Sequence, residues 1–143
     1  MDTFWRLMPR LYYSTRKFLL NRGNKIGLKE SMPRFLDYVY QHDGCIQREI
    51  CDEFSSNASS VSKWLASLEK EGMICRRRNA ESTREVNVFI TGKGREAEKQ
   101  MFEVYKEMDQ IIFQDFSTEE REQCLSYLAR LTDNMMSYRE EGY

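Results

Sequence analysis

Apolar residues recur three and four positions apart through most of this chain, and at every second position in one short stretch. Between residues 2 and 21 they fall at Phe4, Leu7, Met8, Leu11, Tyr12, Thr15, Phe18 and Leu19, the spacing of an amphipathic helix. Pro9 removes one backbone bond there, and either bends the helix or marks its start. Asn21-Arg22-Gly23-Asn24 interrupts the pattern and is expected to be a hinge. Ser31 is expected to cap a second helix with Pro33 in its first turn and Met32, Phe35, Leu36 and Val39 on its buried face. His42-Asp43-Gly44 ends it. A shorter helix follows, with Ile46, Ile50, Cys51 and Phe54 on one side, and then a tight polar turn at Ser55-Ser56-Asn57. The next helix turns Val61, Trp64, Leu65 and Leu68 inward. Its outer face is Ser59, Ser60, Ser62, Lys63, Ser67 and Lys70, and Gly72 stops it.

From Met73 the period becomes two. Ile74 opens a strand that runs into Arg76, Arg77 and Arg78. Residues from Asn79 to Thr83 form a polar turn, and Val86, Val88 and Ile90 then alternate with Asn87 and Phe89. Two strands joined in this way make a hairpin, which needs helices to pack on. Thr91 is the expected cap of a long helix from about Gly92 to Gln114. Its stripe is Ala97, Met101, Val104, Tyr105, Met108, Ile111 and Ile112, long enough to face a partner. Ser117-Thr118-Glu119-Glu120 is a capping box. It opens a last helix to about Arg139, with Leu125, Leu128, Leu131 and Met135 inward. The fold class is therefore mainly α with a small β-hairpin wing.

Composition narrows the class. At 143 residues, with 41% hydrophobic and 31% charged, the chain has room for one domain with a core, or a small domain plus an oligomerisation element. No apolar run approaches the ~20 residues of a membrane helix, so no membrane partner is expected. Arg6, Arg10, Arg16 and Lys17 interrupt the first apolar stretch, so it does not read as a signal peptide and a cytoplasmic location is the default. The four cysteines lack regular spacing and are expected to be reduced thiols. The net charge of −1 hides a division: residues 1–95 carry +6 and residues 96–143 carry −7. A basic part can approach phosphates while the acidic part points away.

A helix, a tight turn and a second helix can lay the second helix in the DNA major groove. Hydroxyls at Ser59, Ser60 and Ser62 can reach phosphates and base edges, while Lys63, Arg76, Arg77 and Arg78 suit phosphates. A hairpin tipped by Arg84 suits the adjacent minor groove.

The whole chain resembles the MarR family of bacterial winged-helix transcription regulators. The resemblance rests on Gln47-Arg48-Glu49-Ile50, Val61-Ser62-Lys63-Trp64-Leu65, Leu68-Glu69-Lys70-Glu71-Gly72-Met73-Ile74, Arg77-Arg78, and Val86 through Ile90-Thr91-Gly92-Lys93-Gly94. The family's wing normally carries an acid two positions before an arginine. Ser82 stands at that place before Arg84, with Glu81 adjacent. The resemblance implies a homodimer. A winged helix-turn-helix lobe over 31–91 would read DNA, and 1–30 with 92–143 would form a helical dimerisation region. Two lobes would then read an inverted-repeat operator, most often as a repressor. Gln47 and Asn57 join the serines, Lys63 and the arginines as candidate DNA contacts.

In this family small aromatic or phenolic molecules often bind between lobe and dimerisation region and release DNA. Phe4, Trp5, Tyr12, Tyr13, Tyr38 and Tyr40 supply aromatic surface near that junction, and Arg16 can meet an anion. Tyr12, Arg16 and Tyr38 are the candidate effector contacts, although packing is the commoner use of such residues. Oxidation-sensing relatives usually place a reactive thiol in the first helix, where this chain has none. Cys51 and Cys75 read as buried or strand-packed, and Cys45 and Cys124 as the candidates for exposure. His42 is the single histidine, so no metal site, cofactor or catalytic set is expected. Gly92-Lys93-Gly94 lacks the rest of a phosphate loop. The alternative reading is a winged-helix protein-interaction module without specific DNA binding.

Overall fold

The structure is a computed structural model that describes residues 1–82 and 84–138. Thr83, expected at the wing turn, and Arg139, expected at the end of the last helix, lie outside the described residues. In chain order the elements are α1 (Phe4–Ile26), α2 (Met32–Gln41), β1 (Cys45–Ile46), α3 (Gln47–Glu53), α4 (Ala58–Lys70), β2 (Ile74–Arg78), β3 (Val86–Ile90), α5 (Gly92–Ile112) and α6 (Thr118–Ser137). Two compact units divide the chain, one from Met1 to Met108 and one from Asp109 onward.

The first unit holds the core. Leu28, Phe35, Leu36, Val39, Ile50, Val61, Leu65, Leu68, Val88 and Met101 are all fully enclosed. Phe35 meets Phe54 edge-on, with ring centroids 4.8 Å apart. The expected faces of α2 and α4 are therefore the buried ones, except that Trp64 is half-buried.

The expected hinge at Asn21-Arg22-Gly23-Asn24 is overturned. α1 runs through it to Ile26 and stops at Gly27, in the left-handed region at φ 87°. The Leu28 N–H donates to Gly23 O at 2.9 Å and the Gly27 N–H to Asn24 O at 3.3 Å, the Schellman pair that satisfies the last carbonyls. Gly23 is glycine for closeness: a Cβ there would lie 2.7 Å from Leu28 O. That approach offsets the cost of about 1 kcal/mol of a helical glycine. α1 also begins five residues before Pro9, so Pro9 does not mark its start. Ser31 sits at the N-cap of α2, but its side chain caps nothing and its backbone is already helical.

Three antiparallel strands form the sheet, in the order β1-β3-β2, rather than the expected hairpin alone. Ile74 lies opposite Ile90 and Arg78 opposite Val86, as the alternation predicted. The addition is β1, pairing Cys45 with Val88 and Ile46 with Asn87. Two residues are too few to show a period, so alternation could not reveal it. The Asn87 amide secures it by donating to Gly44 O at 2.8 Å. In this position Cys45 is buried, against its expected exposure, and burial pushes its thiol up to about 11. Cys124 is half-buried, and all four thiols are free.

Gly72 ends α4 at φ 75°, with Met73 N–H donating to Leu68 O at 3.0 Å. The next turn is tied to it three times. Thr91 Oγ1 donates to Gly72 O at 2.6 Å, Thr91 N–H to Met73 O at 3.0 Å, and Lys93 Nζ to Glu71 O at 2.6 Å. The same Thr91 hydroxyl accepts from Gly94 N–H at 3.0 Å and so caps α5 as expected.

In the second unit the Ser117 box is complete: Glu120 N–H reaches Ser117 Oγ at 3.1 Å, and Ser117 N–H reaches Glu120 Oε2 at 2.8 Å. Arg121 grips Asp109 at 2.9 Å. The expected inward face of α6 is not buried. Leu125, Leu128, Leu131 and Met135 are exposed, and α6 has no buried residue. Spacing identifies an apolar face without saying which surface covers it.

Candidate nucleic-acid interface

The turn between α3 and α4 is built by short polar side chains. Ser55 takes φ 47°, and Ser56 Oγ donates to Phe54 O at 3.1 Å. Asn57 then caps α4, its Oδ1 accepting the Ser60 N–H at 2.8 Å. Removing such a cap costs about 1 kcal/mol. One predicted contact, Asn57, therefore has its carbonyl oxygen engaged. Ser59, Ser60 and Lys63 stand exposed on the first turns, beside the positive end of the helix dipole.

The wing tip carries its own set of bonds. Asn79 N–H donates to Glu85 O at 2.9 Å and closes the hairpin, while Asn79 Oδ1 accepts the Glu81 N–H at 2.8 Å. Ser82 Oγ accepts the Arg84 N–H at 3.4 Å, a long contact at the place where the family has an acid. A neutral hydroxyl can thus serve the backbone here, but it offers the arginine no charge.

A groove of about 430 Å³ brings the predicted pieces together, lined among others by Gln47 of α3, Ala58 of α4 and Ser82 and Arg84 of the wing. Arg48, which is not among the expected contacts, lines the same groove and pairs with Glu85 at 3.4 Å. Its place beside Gln47 at a helix start was the available signal.

The three arginines of β2 diverge. Arg76 turns back onto α4: its N–H donates to Glu69 Oε2 at 2.9 Å and its Nη1 to Ser62 Oγ at 3.2 Å, and its guanidinium pairs with Glu69 at 3.4 Å. Ser62 is half-buried for the same reason. Arg77 lies over the Phe89 ring at 5.1 Å. Arg78 is exposed at the outer end of the strand. Alternation along a strand separates neighbours onto opposite faces, so a run of three arginines cannot act as one patch.

Of the effector candidates, Tyr12 and Arg16 share a cleft of about 250 Å³ with Ser31, Arg34 and Tyr105. Burial pushes the Tyr105 phenol well above its ordinary range. Tyr38 is not in this cleft. It stacks on His42, centroids 4.3 Å apart, and lines a different one with Phe54. Residues of the cleft come from α1, the turn before α2, α2 and α5, and no local spacing could have named Arg34 or Tyr105. Among the described residues there is no cluster of three metal-ligating side chains, and no helix long and apolar enough to cross a membrane.

A helix-turn-helix whose second helix is flanked by a three-stranded antiparallel wing defines the winged-helix class of transcriptional regulators. The MarR family model matches residues 33–86. An HTH-type transcriptional regulator of Bacillus subtilis, YwhA, is 31% identical over 96 residues, covering 67% of this chain and 69% of its own. A MarR protein of Peptoclostridium difficile superposes with TM-score 0.89 at 18% identity, over 95% of this chain and 90% of that one. The Staphylococcus aureus MepR–DNA complex superposes with TM-score 0.79 at 24% identity, over 93% and 96%. The chain belongs to the MarR family and is an HTH-type transcriptional regulator.

Proposed function

We propose that this regulator binds an inverted-repeat operator as a homodimer and acts as a repressor. Residues 31–91 form the reading lobe, and 1–30 with 92–143 pair two copies. The observation that carries this is the single groove joining the starts of α3 and α4 to the wing tip, with Gln47, Arg48 and Arg84 on its walls. The MepR neighbour, a DNA complex, supports the same use of the fold. Ser59 and Ser60 set register and bases, Lys63, Arg77 and Arg78 meet phosphates, and Arg84 enters the minor groove. Arg76 acts chiefly by holding the wing against α4. Asn57 shapes the turn through its cap.

The test is an operator selected from genomic fragments, titrated at several salt concentrations. Arg84→Ala is expected to weaken binding about tenfold and lower the slope of log K against log salt by about one. An unchanged affinity and slope would remove the wing from the mechanism. A folded dimer that enriches no sequence even at low salt would favour the interaction-module alternative.

The proposal for release rests on the cleft holding Tyr12 and Arg16, lined also by Arg34, Tyr105 and the acid Glu30. It suits a phenolic carboxylate such as salicylate. Salicylate is expected to raise the melting temperature of the native protein, and Arg16→Ala to abolish the rise.

A further inference from the structure

A second cavity, of about 670 Å³, lies between α2 and the first turns of α5, lined by Asp37, Tyr40, Gln41, Glu98, Phe102 and Glu103 among others. That volume suits a small organic molecule. Its chemistry is opposite to that of the arginine-walled cleft. Glu98 forms part of the wall and is 5% exposed, the only charged side chain buried among the described residues. Its Oε2 meets no hydrogen-bond donor. The side chain it does meet is another acid, Asp37, within hydrogen-bond reach.

Burying an acid without a partner costs free energy that the fold must recover elsewhere. Two of the nearby cations are committed to other groups. Arg95 pairs with Asp43 at 3.1 Å, and Lys106 pairs with Glu103 at 3.1 Å. Lys99 lines the cavity but makes no ion pair with Glu98. Tyr40 and Phe102 stand exposed at the sides, with Arg95 5.9 Å over the first ring and Lys106 5.2 Å over the second. An unpartnered carboxylate oxygen calls for an N–H donor, and a positive charge is favoured beside two acids. An anion would meet the wrong sign, and the space far exceeds that of a lone metal ion.

We propose that this cavity binds a protonated primary or secondary amine carried on an aromatic or alkyl body, anchored by the Glu98 carboxylate with Asp37 as second acceptor and flanked by Tyr40 and Phe102. The site does not depend on the DNA-reading proposal. Proton and amine compete for the same carboxylate. Asp37 faces it from α2, and Tyr105 and Lys99 stand near it on α5. Burial first, and the Asp37 charge second, push the Glu98 carboxyl up to about 7. The amine therefore binds more tightly above that value than below it.

Calorimetric titration of the intact protein with phenethylamine at about pH 8 tests the site, because the amine is protonated and Glu98 ionised there. One amine per chain is expected. The neutral isostere 2-phenylethanol is expected to bind at least about tenfold more weakly, the least that loss of a charged hydrogen bond implies. Glu98→Gln should weaken the amine by a similar factor while operator affinity stays as in the wild type. Lowering the pH to about 6 should weaken it too. No heat at millimolar amine, equal binding of the alcohol, or an unaffected Glu98→Gln protein each overturns the proposal. If Glu98→Gln does not fold, Asp37→Asn and the amine–alcohol comparison on the wild type decide the matter.

Discussion

α4 and α6 carry apolar stripes of helical spacing that meet opposite fates. Val61, Leu65 and Leu68 of α4 are fully enclosed, whereas Leu125, Leu128 and Leu131 of α6 are 39%, 43% and 44% exposed. Both helices begin with a well-formed side-chain cap, at 2.8 Å from Asn57 and 3.1 Å from Ser117. Local signals are therefore equal, and what differs is the surface opposite. α4 lies on a core that its own chain completes. The unit from Asp109 onward has no buried residue among those described. An apolar face left open at this scale marks an interaction site, which is why pairing with a second copy belongs in the proposed function.

The largest expected effect lies in the lobe. Phe35→Ala should lower unfolding stability in urea by about 4 kcal/mol, since an aromatic ring is removed from an enclosed site. That loss should be the same at every protein concentration. Replacing Leu128 and Leu131 by Asp should instead raise the dimer dissociation constant at least about a hundredfold, roughly 3 kcal/mol. Sedimentation velocity would show monomers whose lobe still melts cooperatively. A double variant that stays dimeric would break the comparison and move the pairing surface off α6.

Smaller effects refine it. The Glu98 carboxyl titrates at about 7 in the fold instead of 4.5. With a raised acid, the folded state binds more protons than the unfolded one between those values. The contribution of protonated Glu98 to stability is complete below the unfolded value and is lost as the pH rises through the folded one. Glu98→Gln should thus gain on the order of 2 kcal/mol at pH 8 relative to pH 4, read from denaturation midpoints at both. Least of all, Asn57→Ala and Ser117→Ala should each cost about 1 kcal/mol. The first should appear in lobe melting in the monomeric background, and the second only where α6 is ordered. Equal effects there would show that α6 is held by more than its partner.

What the residues disclosed in advance follows the same division. Periods of 3.6 and 2 named the buried faces of α2, α4 and β3. The chemistry of Gly72, Thr91 and Ser117 fixed where helices stop and start. Features needing two distant segments escaped. Gly23 looks like a break because glycine usually is one, and only the approach of Leu28 O explains it inside a helix. Ser31 has the chemistry of a cap but a helical backbone. The inward turn of Arg76 depends on Glu69 lying one helix away. β1 is too short to carry a period, and the burial of Cys45 follows from its pairing with β3. Within the candidate interface, the residue types at the start of α4 were legible. The groove that joins them to Gln47, Arg48 and Arg84 was not.

The splice at Thr91 gives the molecule a transmission. Its hydroxyl holds Gly72 O and Gly94 N–H at once, and its N–H and Lys93 Nζ hold Met73 O and Glu71 O. Torque applied along α5 cannot turn its first turn alone. It must either carry the tail of α4 with it or break all three bonds to that tail. The long helix and the helix with the exposed serines are therefore geared to one another at this turn, and turning the start of one is expected to turn the other.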